Sequence, residues 1–276
     1  MGDKTVTPEE AVLYETRGKI AIITLNLPKK LNAMTQDYYF RISQLMRQIA
    51  TDDSIYITVI TAKGRFFSAG ADVGISRAAI PGEDPYRQWL KNFVANNLNF
   101  TQAFYTHPKI LIAALNGPAV GLSAAMVGHA DFVYAAPHAF LLTPFSSLGL
   151  VAEGLASHAF VQRLGIAKAN EALIMSKRIT CEELVQCGFV NKVFDTKPPE
   201  SDKFLELVLQ EVEDRLGDHL VSDSMTKIKA LIRKPYREVQ DAQGVSEVYG
   251  GLERFMSGVP QERFRQIASG ERKHKL

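Results

Sequence analysis

The chain has 276 residues, enough for one large domain, or a domain with a small appendage, around a substantial core. Its 46% hydrophobic and 22% charged residues are ordinary for a soluble globular protein and exclude wholesale disorder. Lys plus Arg 32 against Asp plus Glu 30 leaves a net charge of +2, without the basic excess of a nucleic-acid binder.

Met1 to Glu10 is polar and lacks the apolar stretch of a signal peptide, and no apolar span reaches membrane length, so neither secretion nor membrane insertion is expected. Alternating apolar residues from Lys19 to Leu25 predict a strand, paired with Val12 to Thr16 across the Arg17-Gly18 turn. Thr35 is placed to cap a helix running to about Ala50, in which Tyr39, Ile42, Leu45, Met46 and Ile49 recur at helical spacing. Ile55 to Thr61 reads as the next strand. Ser76 to Asp84 carries Pro81-Gly82 and reads as a loop, before a helix from about Tyr86 to Tyr105 that Pro108 stops.

A buried strand, Lys109 to Leu115, then leads through a glycine turn into a small-residue helix, Leu122 to Gly128, and a strand at Asp131 to Ala135. This strand, turn and helix rhythm predicts a mostly parallel sheet covered by helices, an α/β fold. After Leu155 the pattern is mainly helical: Asn170 to Met175 and Lys203 to Leu216 are amphipathic, Lys197-Pro198-Pro199 is a connector, and Ser222 to Arg265 holds several helical segments.

Two small-residue turns carry the strongest signal: Phe67 to Asp72, F-S-A-G-A-D, after one strand, and Asn116 to Leu122, N-G-P-A-V-G-L, after another. Small side chains let a carbonyl oxygen approach the main chain, and glycine supplies the dihedrals that turn an amide outward, so two such turns can build an oxyanion hole. Either turn could equally be an ordinary strand-to-helix connection.

Taken together at this separation, the turns resemble those of the crotonase (enoyl-CoA hydratase/isomerase) superfamily over about Val12 to Phe194. The resemblance implies a β-β-α spiral core, about 1–200, and a C-terminal helical region, about 201–276, that serves trimerisation and pocket closure. It implies an acyl-CoA thioester as substrate, with CoA belonging to the substrate and no separate cofactor. The oxyanion donors carried over are the amides of Ala71 and Leu122, which come directly after Gly70 and Gly121. The main chain around Ala69 and Asp72 is implied to contact the adenine. Lys29 and Lys30, before Leu31-Asn32-Ala33-Met34, are similar in place to the family's nucleotide-side loop and carry charge suited to phosphate, although exposed lysines are common. Arg263 and Phe264 are placed to complete a pocket, in this subunit or a neighbouring one.

Glu153, in L-V-A-E-G, is an acid in an apolar run, where burial would raise its pKa toward neutrality as proton shuttling requires. The alternative is a carboxylate at the N-terminus of the next helix. Hydratases of the family carry two glutamates, and the aligned positions here hold Ala125 and, approximately, Phe145. S-S-L-G-L-V-A-E-G resembles the local motif of the fungal peroxisomal 3-enoyl to 2-enoyl-CoA isomerases, which keep a single glutamate. That implies proton transfer from C2 to C4 by Glu153, with Asn97 beside it to hold a water or the carboxyl in place; the alternative for Asn97 is a solvent-facing helix residue. Trp89 and Phe93 share a helical face and suit core packing or an acyl pocket.

Other crotonase-type enzymes remain as alternatives: a dienoyl-CoA isomerase, which would pair an aspartate with the glutamate where this chain has Ser123, Ala124 and Ala125, a thioesterase, or a non-catalytic acyl-CoA-binding subunit. Gly121 to Ala125 also looks superficially like a serine-hydrolase elbow but lacks its second glycine. The six histidines show no metal-ligand spacing, so no metal is expected. Cys181 and Cys187, flanking a helix at Glu182 to Gln186, make no disulfide framework. His274-Lys275-Leu276 is similar to the S-K-L address, with histidine in place of serine, which implies an import receptor as partner and the peroxisome matrix as location; the alternative is a frayed basic tail. The family resemblance implies a homotrimer or homohexamer.

Overall fold

The computed structural model describes residues 6–272 apart from Ser76 and Ala79. The His274-Lys275-Leu276 signal and the first five residues lie outside the described residues, as do those two positions of the loop expected over 76–84.

The chain opens with a short helix α1 (Pro8–Ala11) and the hairpin β1 (Val12–Arg17) and β2 (Ile20–Leu25). Helix α2 (Gln36–Ala50) comes next, with the Thr35 hydroxyl accepting the Tyr38 N–H at 3.3 Å as the capping reading expected. Strand β3 (Ile57–Ala62) leads to α3 (Pro85–Trp89), a π-helical turn (Leu90–Ala95) and α4 (Asn96–Tyr105). The single helix expected over this span is thus interrupted. Such turns insert a residue into the helical repeat and shift the phase of the residues beyond it.

The chain continues through β4 (Ile110–Leu115), β5 (Ala119–Val120), α5 (Leu122–Val127), β6 (Phe132–Ala135) and β7 (Phe140–Leu142). Helices α6 (Ala156–Leu164) and α7 (Ile166–Leu173), strand β8 (Ile179–Thr180), α8 (Cys181–Gln186) and β9 (Lys192–Val193) complete the sheets. Four helices end the chain: α9 (Ser201–Leu216), α10 (Ser222–Arg233), α11 (Arg237–Met256) and α12 (Val259–Ala268).

The main sheet runs β1-β2-β3-β4-β6-β9, and only the β1–β2 pair is antiparallel. Strands β5, β7 and β8 form a second, smaller sheet. Every residue of β3 and β4 is buried, as a parallel sheet covered on both faces requires. Side chains alternate between the faces. Ile60, Leu111, Ala113 and Leu115 join the core beneath α2 and α4, whereas Ile57, Val59, Ile110 and Ile112 pack against Phe204, Leu205, Val208 and Val212 of α9. A third apolar cluster clamps Trp89, Phe93 and Val94 to Val248, Leu252 and Phe255 of α11.

This layering positions the site. Both glycine turns leave the carboxyl ends of adjacent parallel strands, β3 and β4, where open α/β sheets place their ligands.

Candidate active site

The first turn is held by main-chain pairing on both sides of Gly70. Ala69 N–H donates to Leu31 O at 2.9 Å, Met34 N–H to Gly70 O at 2.8 Å, and Asp72 N–H to Met34 O at 2.9 Å. Asn32, fully buried, staples the segments: its amide donates to Lys63 O (2.9 Å) and Phe66 O (2.8 Å) while its Oδ1 accepts the Leu27 N–H. Asn32 is not among the site residues expected from the sequence. Its signal is a polar residue between Leu31 and Ala33 in an otherwise apolar segment.

The two turns touch. Val120 N–H donates to Ser68 O at 2.9 Å, and a Cβ on Gly70 would stand 2.9 Å from Val120 O. Gly70 has a φ of +84°, which a side chain would strain further. Gly121 N–H is tied to Leu142 O at 2.8 Å. By contrast, neither the Ala71 nor the Leu122 N–H has an acceptor among the described residues, and both residues line one cleft. Leu122 opens α5, whose first amides lack intrahelical partners for geometric reasons.

The cleft has a volume of about 520 Å³ and includes Ala69, Gly70, Ala71, Gly121, Leu122, Asn97 and Glu153 in its wall. Trp89, Phe93 and Phe255 supply apolar surface, with the Trp89 and Phe255 rings stacked at 4.1 Å, so Trp89 and Phe93 are at once members of a packed cluster and part of the cleft wall. Phe264 of α12 closes one side of its own chain's cleft, and the Arg77 guanidinium lies over its ring at 3.8 Å. Arg263 is not among the wall residues. Arg77 carries no signal in the sequence, standing in a loop of ordinary composition.

Glu153 is buried, and Asn97 Nδ2 donates to its Oε2 at 3.1 Å. Burial pushes the Glu153 carboxyl up to about 8, reinforced by the negative charge of Glu247, and opposed by the Asn97 hydrogen bond and the Arg77 charge. The loop behind it is tightly fitted. Gly154 and Leu155 both adopt left-handed backbone, with φ of +68° and +59°. A Cβ on Gly154 would stand 3.0 Å from the Ala125 side chain, so Ala125, where a hydratase glutamate would align, is packing surface for this loop. Phe145 is a buried wall residue of the cleft.

The helix-terminus role considered for Glu153 is filled by another residue. Glu247 of α11 accepts the Leu155 N–H at 2.6 Å and the Ser157 N–H at 3.0 Å at the start of α6, which leaves Glu153 to face the cleft.

Other expected positions fall outside the cleft or take different partners. Lys29 and Lys30 stand exposed on a short 3-10 turn (Pro28–Lys30) and are not among the cleft's wall residues. Asp72 is not a wall residue either, and its Oδ1 accepts the Gly74 N–H at 2.8 Å. The Ser123 hydroxyl pairs with Tyr39 OH at 3.2 Å instead of a histidine, which removes the arrangement a serine nucleophile needs. His129 Nε2 is bonded to Gly154 O at 2.8 Å, and burial lowers this imidazole to about 4. Cys181 and Cys187 are free thiols. Among the described residues no group of three or more His, Cys, Asp or Glu side chains is placed to hold a metal ion, and no helix is long and apolar enough to cross a membrane.

A pair of acceptor-free amides sharing a cleft with a buried carboxyl of raised pKa can stabilise an oxyanion and move a proton. Residues 15–250 match the enoyl-CoA hydratase/isomerase family, and the chain belongs to that family, with the crotonase fold. It is 59% identical over 273 residues to a Delta(3,5)-Delta(2,4)-dienoyl-CoA isomerase of Pyricularia oryzae, covering 95% of this chain and 98% of that one. It is 34% identical to a 3,2-trans-enoyl-CoA isomerase of Saccharomyces cerevisiae, covering 98% and 99% of the two chains. Among solved structures, an enoyl-CoA hydratase/isomerase from Pseudoalteromonas atlantica superimposes with a TM-score of 0.81 at 25% identity, over 96% of this chain and 100% of the other.

Proposed function

We propose that the protein is a double-bond isomerase of 3-unsaturated acyl-CoA thioesters, with Glu153 as its acid/base. The observation that carries this reading is one buried carboxyl, raised toward neutrality, sharing a cleft with two acceptor-free amides. In this reading the Ala71 and Leu122 N–H groups hold the thioester oxygen. Glu153 takes a proton from C2, and the C–H electron pair passes through the carbonyl to give an enolate that the two amides stabilise, each worth about 100- to 1000-fold in rate. Return of a proton from the Glu153 carboxyl, after exchange with solvent or without it, farther along the chain restores the carbonyl and leaves a 2,3 double bond. The balance closes with no redox step and no added water.

Two substrates fit this chemistry, and a different observation supports each. A lone acid suits the short transfer from C2 to C4, which converts a 3-enoyl to a 2-enoyl thioester, and the yeast relative's name agrees. The 59% likeness to the Pyricularia protein supports a 3,5-dienoyl thioester, in which the conjugated enolate is protonated at C6 and the 2,4-diene results. That likeness runs nearly end to end, so we place the dienoyl substrate first, although no aspartate stands at Ser123, Ala124 or Ala125 to share the work. Side-by-side assays with 3-hexenoyl-CoA and 3,5-octadienoyl-CoA rank the two. Turnover of neither, or hydration instead of isomerisation, would contradict the reading.

The same reading includes self-association. Ile228, Leu231 and Ile232 form a stripe on α10 that is 56%, 70% and 61% exposed, which suits a subunit contact. Sedimentation analysis distinguishes trimer from hexamer, and a monomer would rule this out.

A further inference from the structure

Glu247 is a buried carboxylate, 6% exposed, with no place in the chemistry just described. It stands on α11, 94 positions after Glu153 in the sequence (247 − 153). Among the described residues every partner it has is a donor: the Leu155 N–H, the Ser157 N–H and the Ser157 hydroxyl, the last at 2.5 Å. Gln243, one turn earlier on α11, donates to the same Ser157 hydroxyl at 2.8 Å. Burial pushes this carboxyl above its ordinary value, and the Ser157 and Leu155 donors oppose that shift, so the hydrogen bonds and the positive end of α6 are what favour its ionised form.

We propose that Glu247 is a positioning residue that clamps the left-handed Gly154–Leu155 turn and places a second negative charge behind Glu153. The proposal rests on Glu153 being the acid/base. Without the clamp, the Leu155 N–H loses its acceptor in a buried site, and the non-glycine residue held at φ +59° loses one of the contacts that keeps it there. Displacement of the turn moves the Glu153 carboxyl relative to the two amides. The clamp also ties α11, in the C-terminal helical region, to the proton-transfer step, because α11 supplies both Glu247 and the Phe255 wall.

The charged and titratable groups facing Glu153 come from three elements: Glu247 on α11, Arg77 on the loop before α3, and Tyr39 on α2. Of these, Glu247 favours the protonated form and Arg77 the ionised form. Tyr39 keeps its proton, because burial raises its hydroxyl well above the ordinary value. Removing the Glu247 charge therefore makes Glu153 the stronger acid.

Two substitutions separate charge from reach. Glu247→Gln keeps an acceptor for the Leu155 N–H but removes the charge, and the acid limb of the kcat/KM profile is expected to move down by about one pH unit. Glu247→Asp keeps the charge but shortens the arm, and a ~10- to 100-fold loss of kcat with an unmoved limb and an unchanged KM is expected. Titration of the Glu153 carboxyl by carbon-13 NMR in glutamate-labelled protein reads the same shift without any turnover. A Glu153 midpoint that does not move in Glu247→Gln, or wild-type kcat in Glu247→Asp, overturns the proposal. If Glu247→Gln does not fold, the Glu247→Asp rate decides. A moved midpoint in a protein that isomerises nothing would leave the clamp standing and refute the assigned reaction instead.

Discussion

The Asn97 amide donates to the Glu153 carboxyl at 3.1 Å, joining the first turn of α4 to the loop before α6, and its own Oδ1 accepts the Thr101 hydroxyl at 3.3 Å. The carboxyl is thereby fixed in rotation by a partner that is itself fixed. Asn97→Ala is expected to lower kcat by ~10- to 100-fold through loss of alignment. Because this hydrogen bond favours the ionised form of Glu153, its loss should also move the acid limb to higher pH, which a kcat/KM profile reads directly.

Glu153 must be ionised to take a proton, and burial lifts its carboxyl to about 8. Activity of the free enzyme should therefore rise with pH through about 8 in the wild type, with no such limb in Glu153→Gln. Stability runs the other way. The folded protein keeps this proton to higher pH than the unfolded chain, so the group's contribution is full below the ordinary carboxyl value of 4.5 and is lost as pH rises through about 8. Denaturant unfolding should show the wild type losing ~1.4 kcal/mol per pH unit inside that window relative to Glu153→Gln.

A methyl group on Gly70 would press on Val120 O from a backbone conformation that side chains avoid. Gly70→Ala is expected to part the two turns and lower turnover by ~100- to 1000-fold, the loss typical of one oxyanion donor. Circular dichroism should remain native in shape, since the sheets lie beneath the turn.

Away from the cleft, Asp131 anchors α10 to the sheet: it accepts the Leu111 N–H at 2.8 Å and pairs with Lys229 (2.7 Å) and Arg233 (2.8 Å). These cations hold its carboxyl below the ordinary range against burial, so this contribution is present at neutral pH and is lost as pH falls. Asp131→Ala leaves Lys229 buried without its counter-charge and should cost about 3–5 kcal/mol in denaturant unfolding. The loss should shrink in acid.

Much of this site is readable in the residues themselves. Gly70 and Gly121 announce close main-chain approach because no other residue type serves there as well, and Glu153 stands out as an acid among apolar neighbours. Strand and helix order come from alternation and helical spacing, and Thr35 marks its cap. The π-helical turn at Leu90–Ala95 does not show, because its residues suit an ordinary helix and only packing against α11 distinguishes them. Glu247 is equally hidden, since an acid on a long helix usually faces water and its donors lie about ninety positions away. Arg77 is held by the Asp72 and Ile75 carbonyls of its own loop and by Phe264 across the fold, and its sequence neighbours do not announce the latter contact. Lys29 and Lys30 stand out by charge, and charge alone does not say which way a turn faces.

The central claim is that Glu153 carries the proton between carbons of a thioester whose oxygen rests on two amides. The measurement that tests it most directly is deuterium uptake at C2 of a 3-unsaturated acyl-CoA in heavy water, monitored by mass spectrometry, with wild type and Glu153→Gln at matched thioester occupancy. The account predicts exchange and isomerisation in the wild type, and loss of both by ~1000-fold or more in the variant with thioester affinity retained. Exchange persisting in Glu153→Gln within about tenfold of the wild-type rate would contradict it.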